Sequence, residues 1–168
     1  MNYLRIIITL FVFSITISCS KAVEQKETNP FTGLWSLAAM DQLNPETNQW
    51  EQWRDGMQGY ILYDDLNNMS VHLTTSGYQD TEIRFANFTD TISTAALKHL
   101  TGSYVYVAKY KVDKEAGTVE HARISHSNPG DWNAVVKRRY TFKGDTLILQ
   151  PVEKANSGLR LKWVKDKN

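Results

Sequence analysis

Tyr104, Tyr106 and Tyr110 fall at even positions of the stretch SYVYVAKYKVD, so in an extended chain they share one face with Ala108 and Val112. Lys109 and Lys111 take the other face, which predicts that the tyrosine face points inward. His121 shares parity with Val119 and Arg123 in TVEHARIS, and Arg138 shares it with Tyr140 and Phe142 in AVVKRRYTF. A neutral imidazole inside a pocket can serve as a general base or can hydrogen bond a ligand carbonyl. An arginine at a pocket wall suits a carboxylate or carbonyl on an otherwise apolar ligand, through a forked, charge-assisted bond. His121 also has a structural reading, a static network with Tyr110 or Thr141, and that reading is preferred over catalysis. His72 alternates with Val71 and Leu73 and is expected to face outward, and His126 is expected in a loop.

Other chemistry has no support in the sequence. There is no H-x-x-x-H, C-x-x-C or acidic cluster, so no metal site is expected. Nucleophile-elbow, phosphate-loop and dinucleotide patterns are also missing, and no cofactor is expected. SHSNPGD contains hydroxyl, imidazole and carboxylate groups but reads as a turn.

The elements that must carry these side chains are short and alternating. GLWSLAAM opens at Gly33; GYILYDD and MSVHLTT follow, joined across the turn formers Asp64 to Asn68 as a hairpin. The tyrosine-rich strand runs through a turn at Lys114 to Gly117 into TVEHARIS. After a break at Pro129 and Gly130 come AVVKRRYTF, a tight turn at Lys143 to Asp145, TLILQP and LRLKWVK. Only TISTAALKHL, Thr91 to Leu100, reads as helical. About eight short strands with short connections predict an all-β antiparallel barrel or sandwich. An eight-stranded barrel can be filled by side chains or can hold one small ligand. Polar tips at Tyr104, Tyr106, Tyr110, His121 and Arg138 are met more easily by a lined cavity than by a dry core.

Ahead of this domain lies a different kind of segment. Arg5 precedes an apolar run from Ile6 to Ile17 that is about a dozen residues long, short of the roughly 20 that span a bilayer as a helix. It reads as a signal-peptide core. The chain's single cysteine, Cys19, closes it after Ile17 and Ser18, and SKAVEQKETNP follows as a polar spacer. The junction resembles the lipobox of bacterial lipoproteins, with Thr16 standing where Leu, Val or Ile is usual. The resemblance implies acylation of Cys19. The expected organisation is a leader over residues 1–18, a tether over 19–30 and a barrel over 31–168. Removing Arg5 from the 19 Lys and Arg leaves 18 against 18 Asp and Glu, so the mature chain is near neutral and nucleic acid is not an expected partner.

The ordered series GLWSL, GYILYDDLNNMSVHL, GSYVYVAKYKVDKEAGTVEHARIS, NPGDW and KRRYTFKGDTLIL resembles the bacterial lipocalin-like domain family, from Gly33 to Trp163. The resemblance implies a single up-and-down antiparallel barrel with an internal pocket, and no settled activity. It implies that Trp35 closes the barrel floor under an arginine, either Arg138 or Arg160. It matches Tyr110, His121, Trp132 and Arg138 to family positions. Ala108 and Lys109 depart from the family's usual Gly and Arg, and Trp50 and Trp53 are an added aromatic pair that either gates the open end, touches a membrane surface or caps the core. Together these readings give a lipid-anchored barrel in the bacterial cell envelope that binds a small hydrophobic or amphipathic molecule. Tyr104, Tyr106, Tyr110, His121, Arg138 and Tyr140 are the expected pocket residues. The alternatives are an isomerase or cyclase built on Tyr110, His121 and Arg138, and a packed interaction module. Cys19→Ala is expected to abolish labelling by an alkyne fatty acid in cells and to leave the barrel folded; labelling that persists, or an unlabelled wild type, overturns the anchor.

Overall fold

The computed structural model describes residues 29–82, 92–153 and 158–167. The leader, Cys19 and most of the tether lie outside these residues, as does Thr91. The first described residue, Asn29, precedes the sequence boundary at Phe31 and is already bound into the domain. Its side-chain amide donates to the Tyr110 hydroxyl at 2.7 Å.

Among the described residues, strands β1 (Gly33–Leu43), β2 (Trp50–Gln52), β3 (Met57–Tyr63) and β4 (Asn68–Thr75) precede helix α1 (Thr94–Gly102). Strands β5 (Tyr104–Asp113), β6 (Thr118–His126), β7 (Val135–Lys143), β8 (Thr146–Pro151) and β9 (Leu159–Lys165) follow. Each strand pairs antiparallel with its sequence neighbour from β3 to β9, and β9 returns to pair with β1. The sheet is thus a closed, up-and-down, eight-stranded barrel, which leaves no long open edge. Strand β2 is a short addition. One edge of β1 is divided: Gly33 to Ser36 pair with β3, and Asp41 to Leu43 pair with β2.

The alternation read from sequence governs burial. In β5, Tyr106, Ala108 and Tyr110 are buried while Val107, Lys109 and Lys111 are exposed. The core follows the same period through Ile61, Tyr63, Met69, Val71, Val119, Leu147, Leu149 and Trp163. Turn chemistry fixes the register of the β3–β4 hairpin. The Asp64 carboxylate accepts from the backbone N–H groups of Leu66 and Asn68 at 2.8 and 2.7 Å, and Asn67 takes a φ of 64°. Helix α1 begins later than the sequence suggested. Ser93 accepts from the Ala96 N–H at 3.2 Å and so sets the start at Thr94.

Two bulges interrupt the alternation. One lies in β1 between Leu37 and Ala39 opposite β9. The other lies in β6, where Ala108 faces Arg123 but Val107 faces Ser125. The extra residue, Ile124, faces out and is 49 % exposed, so the inward set runs Val119, His121, Arg123 and then His126. His126 is therefore a buried strand residue and not the loop residue expected from sequence. His72 is exposed, as expected.

Gly59, opposite Leu73 in the β3–β4 ladder, has a φ of 143°, and a Cβ there would sit 1.9 Å from the His72 carbonyl oxygen. Neither strand can yield without breaking the ladder. Gly59→Ala is expected to cost about 2–4 kcal/mol in urea unfolding; a variant within about 0.5 kcal/mol of wild type would show that the two strands separate freely at this point.

Candidate functional site

Strand polarity sorts the barrel into two ends. The starts of β1, β4, β6 and β8 and the ends of β3, β5, β7 and β9 meet at one end, near Asn29. Phe31 plugs this end. Its ring lies 5.2 Å from Tyr63, 5.0 Å from Tyr140 and 5.1 Å from Phe142, each edge to face. The Trp35 indole donates to the Phe31 carbonyl at 2.8 Å, which ties the plug to β1. The structure places Trp35 at the floor, and the cation beside it is neither expected arginine. The Lys165 ammonium lies 5.2 Å from its ring centroid. Arg160 instead pairs with Asp41 at 2.8 Å and stacks over Trp50 at 4.1 Å, because β9 turns it toward β2 on the outside. Arg138 is held at the other end of β7 by Glu153 at 3.0 Å.

Above the floor is a cavity of about 330 Å³, walled mainly by Met40, Met57, Ile61, Leu73, Leu149 and Leu161. Trp53, Arg54 and the C-terminal turn of α1 at Thr101 to Ser103 border its mouth. The volume is at the small end of the range of ligand pockets. Of the expected pocket residues, Tyr104, Tyr106, His121 and Arg138 line this cavity. Tyr110 and Tyr140 do not: both face a separate recess at the floor, beside Phe31 and Asn67. The Tyr110 hydroxyl donates to the Asp64 carbonyl at 2.7 Å, which turns its ring away from the cavity. Trp53 borders the mouth with the Arg54 guanidinium 4.1 Å over its ring, whereas Trp50 lies outside on β2.

His121 is 1 % exposed and is bonded at both nitrogens. The Tyr63 hydroxyl lies 3.0 Å from Nε2 and the Tyr106 hydroxyl 2.8 Å from Nδ1. The static network foreseen from sequence thus exists with different partners. Thr141 faces outward and is exposed, and Tyr110 is committed to the floor. Tyr63 went unnoticed in the sequence, although its spacing from Ile61 in GYILYDD places it on the inner face. Burial drives the His121 pKa down to about 3, and the positive charges of Arg138 and Arg123 act in the same direction. Burial also raises the Tyr63 and Tyr106 hydroxyls above the usual phenol range. All three groups are neutral at pH 7.

A second cluster borders Tyr104 and Tyr106. Arg123, 6 % exposed, donates to Asp131 at 2.8 Å and to the Tyr104 hydroxyl. His126 stacks on Tyr106 at 5.7 Å and meets Tyr104 edge to face at 4.7 Å. Its Nδ1 accepts from the Asn128 N–H at 2.8 Å. The carboxylate comes from the segment that read as a turn, a one-turn helix at Pro129–Asp131 capped by Asn128. Ser127 of that segment accepts from the Val105 N–H at 3.2 Å, and His126 Nε2 is buried with no hydrogen-bond partner, so among the described residues no serine hydroxyl meets this imidazole. Trp132, matched to the family's tryptophan, is half exposed and donates to the His126 carbonyl at 2.7 Å.

The folded-state pKa of His121 lies below its unfolded value, so between pH 6.5 and about 3 the unfolded chain binds a proton that the folded chain refuses. Stability is therefore expected to fall as the pH drops through this window, by roughly 2–5 kcal/mol from His121. Unfolding of wild type and His121→Gln by urea between pH 7 and pH 4 checks it, since carboxylates contribute equally to both. Parallel curves for the two proteins would refute a buried neutral imidazole.

Residues 32–164 match the family model described as a lipocalin-like domain. Comparison with curated proteins and with solved structures gives no match.

Proposed function

This chain belongs to the lipocalin-like domain family, and we propose that its barrel holds one small, largely apolar molecule in the cavity below Trp53. The observation that carries the proposal is that cavity, about 330 Å³ with aliphatic and thioether walls and an arginine at one side. A packed interaction module would fill this volume with side chains, since interiors tolerate few voids larger than a water molecule. A proton-transfer enzyme needs a base poised near the working pH. His121, held at a pKa of about 3 and bonded at both nitrogens, gives that reading no support.

The same proposal places the protein in the bacterial cell envelope, anchored through lipid on Cys19. The apolar run from Ile6 to Ile17, closed by Ser18 and Cys19, and the polar spacer after it support this. Asn29 joins the barrel at the floor, beside Tyr110, so a tether arriving there would leave the mouth at the far end from the membrane. Anchoring would need more than one acyl chain, because a single chain binds only marginally.

Leu161 faces the cavity from β9 and is in register with Leu149 and Met40, which also line it. Leu161→Trp is expected to fill the void, weakening binding of N-phenyl-1-naphthylamine at least tenfold at a stability cost of about 1–3 kcal/mol. Fluorescence titration of both proteins decides: no binding by wild type, or equal binding by the two, would place the ligand elsewhere or nowhere.

A further inference from the structure

The His121 network holds one polar hydrogen more than its hydrogen bonds use. Two tyrosine hydroxyls and one neutral imidazole carry three polar hydrogens, but only two hydrogen bonds join them. One hydrogen must point elsewhere. If Tyr106 donates to Nδ1 and Nε2–H donates to Tyr63, the spare hydrogen is on Tyr63. That side chain is 0 % exposed, does not line the cavity and has no other hydrogen-bond partner among the described residues, so a buried donor would be stranded. In the opposite arrangement Tyr63 donates to Nε2, Nδ1–H donates to the Tyr106 oxygen, and the spare hydrogen is on Tyr106. Tyr106 lines the cavity, where a ligand or water can accept it.

We infer that His121 is the Nδ1–H tautomer and that Tyr106 aims its hydroxyl proton into the cavity, which therefore selects molecules whose buried end is a hydrogen-bond acceptor, a carbonyl or carboxylate oxygen on an apolar chain. The rest of the lining agrees. Trp163, 1 % exposed, walls the same cavity, and its indole N–H is itself buried with no hydrogen-bond partner among the described residues, so this wall has no acceptor to offer; an indole can only donate. Arg138 adds further donors at the wall. No carboxylate or carboxamide side chain stands among the described lining residues to receive a donor from a ligand. A molecule that buries an ammonium in this cavity would meet the Tyr106 hydroxyl hydrogen and the Arg138 guanidinium, whereas an acceptor oxygen would accept from them.

The inference rests on the binding proposal, and the experiment separates the two. On the full chain labelled with 15N-histidine, in detergent at pH 7, two-bond proton–nitrogen correlation reads the tautomer of His121 in the wild type, with no variant to fold. Protonated Nδ1 is the expected result, and protonated Nε2 or an imidazolium overturns the inference. Displacement of N-phenyl-1-naphthylamine is then measured with 2-decanone, decanoate and decylamine. The ketone and the carboxylate are expected to bind, with decylamine at least tenfold weaker, and Tyr106→Phe should weaken 2-decanone about three- to tenfold. Decanoate ahead of 2-decanone identifies a carboxylate ligand and the reverse a neutral carbonyl; either order supports the inference. Equal binding of decylamine and 2-decanone overturns it while leaving the binding proposal intact, and failure of every probe, N-phenyl-1-naphthylamine included, overturns both.

Discussion

A histidine that points into a barrel cannot be satisfied by the sheet, because the ladder hydrogen bonds lie in the plane of the strands and only side chains cross the interior. His121 on β6 is met by Tyr63 from β3 and Tyr106 from β5. That requirement fixes the relative register of four consecutive strands, since a slip of one residue anywhere between β3 and β6 would turn one partner to the outside. The same burial that makes the bonds necessary keeps the imidazole neutral, and neutrality allows it one N–H for two neighbours. Register, protonation state and the direction of the Tyr106 hydroxyl are thus aspects of one constraint.

The floor serves the same end. Tyr110 is the direct cross-strand neighbour of His121, yet it turns down to Asn29 and the Asp64 carbonyl. Its ring meets Tyr63 edge to face at 4.9 Å, so the plug formed by Phe31 and Tyr110 supports the tyrosine that supports the histidine. The hairpin turn at Asp64 is part of the site in this sense, because its carbonyl accepts from the hydroxyl that keeps Tyr110 out of the cavity. Beneath Trp35 the chain uses Lys165 where an arginine was expected. A lysine can do this because its stem lies along apolar surface while its ammonium stays at the rim, and Gly33 leaves room for that stem, with the Lys165 Cε 2.9 Å from where a Cβ would stand.

The strands, the hairpin turns and the inward tyrosine face were legible because period-two alternation and turn residues report directly on a half-buried sheet, while barrel and sandwich stayed open on that signal alone. The family resemblance added closure of the barrel and the place of Trp35. What failed has a common cause. The bulge at Ile124 shifts parity in the last turn of β6, so His126 enters the interior and brings the one-turn helix with Asp131 up against Arg123. A bulge inserts one residue without any compositional signature in TVEHARIS, and alternation read through it points to the wrong face. Partner choice was equally hidden. Which of several inward polar groups meets His121 depends on ring directions along the barrel axis, and those are set by the floor and not by spacing in sequence.

Charge placement completes the site. Arg123 and Arg138 are inside, with side chains 4 % and 15 % exposed, while their carboxylates, Asp131 and Glu153, are 35 % and 40 % exposed at the rim. Solvent screens the acids more than the guanidiniums, so each pair is asymmetric and the interior remains electropositive although the chain as a whole is close to neutral. The consequence reaches both clusters. The arginine charges help to hold His121 unprotonated, and they keep His126 below the ordinary imidazole range, where burial acts first and Arg123 reinforces it. For the ligand we propose, an interior whose two histidines are kept neutral and whose arginines are anchored by carboxylates at the rim offers N–H and O–H donors, and the direction of those bonds acts together with the electropositive interior.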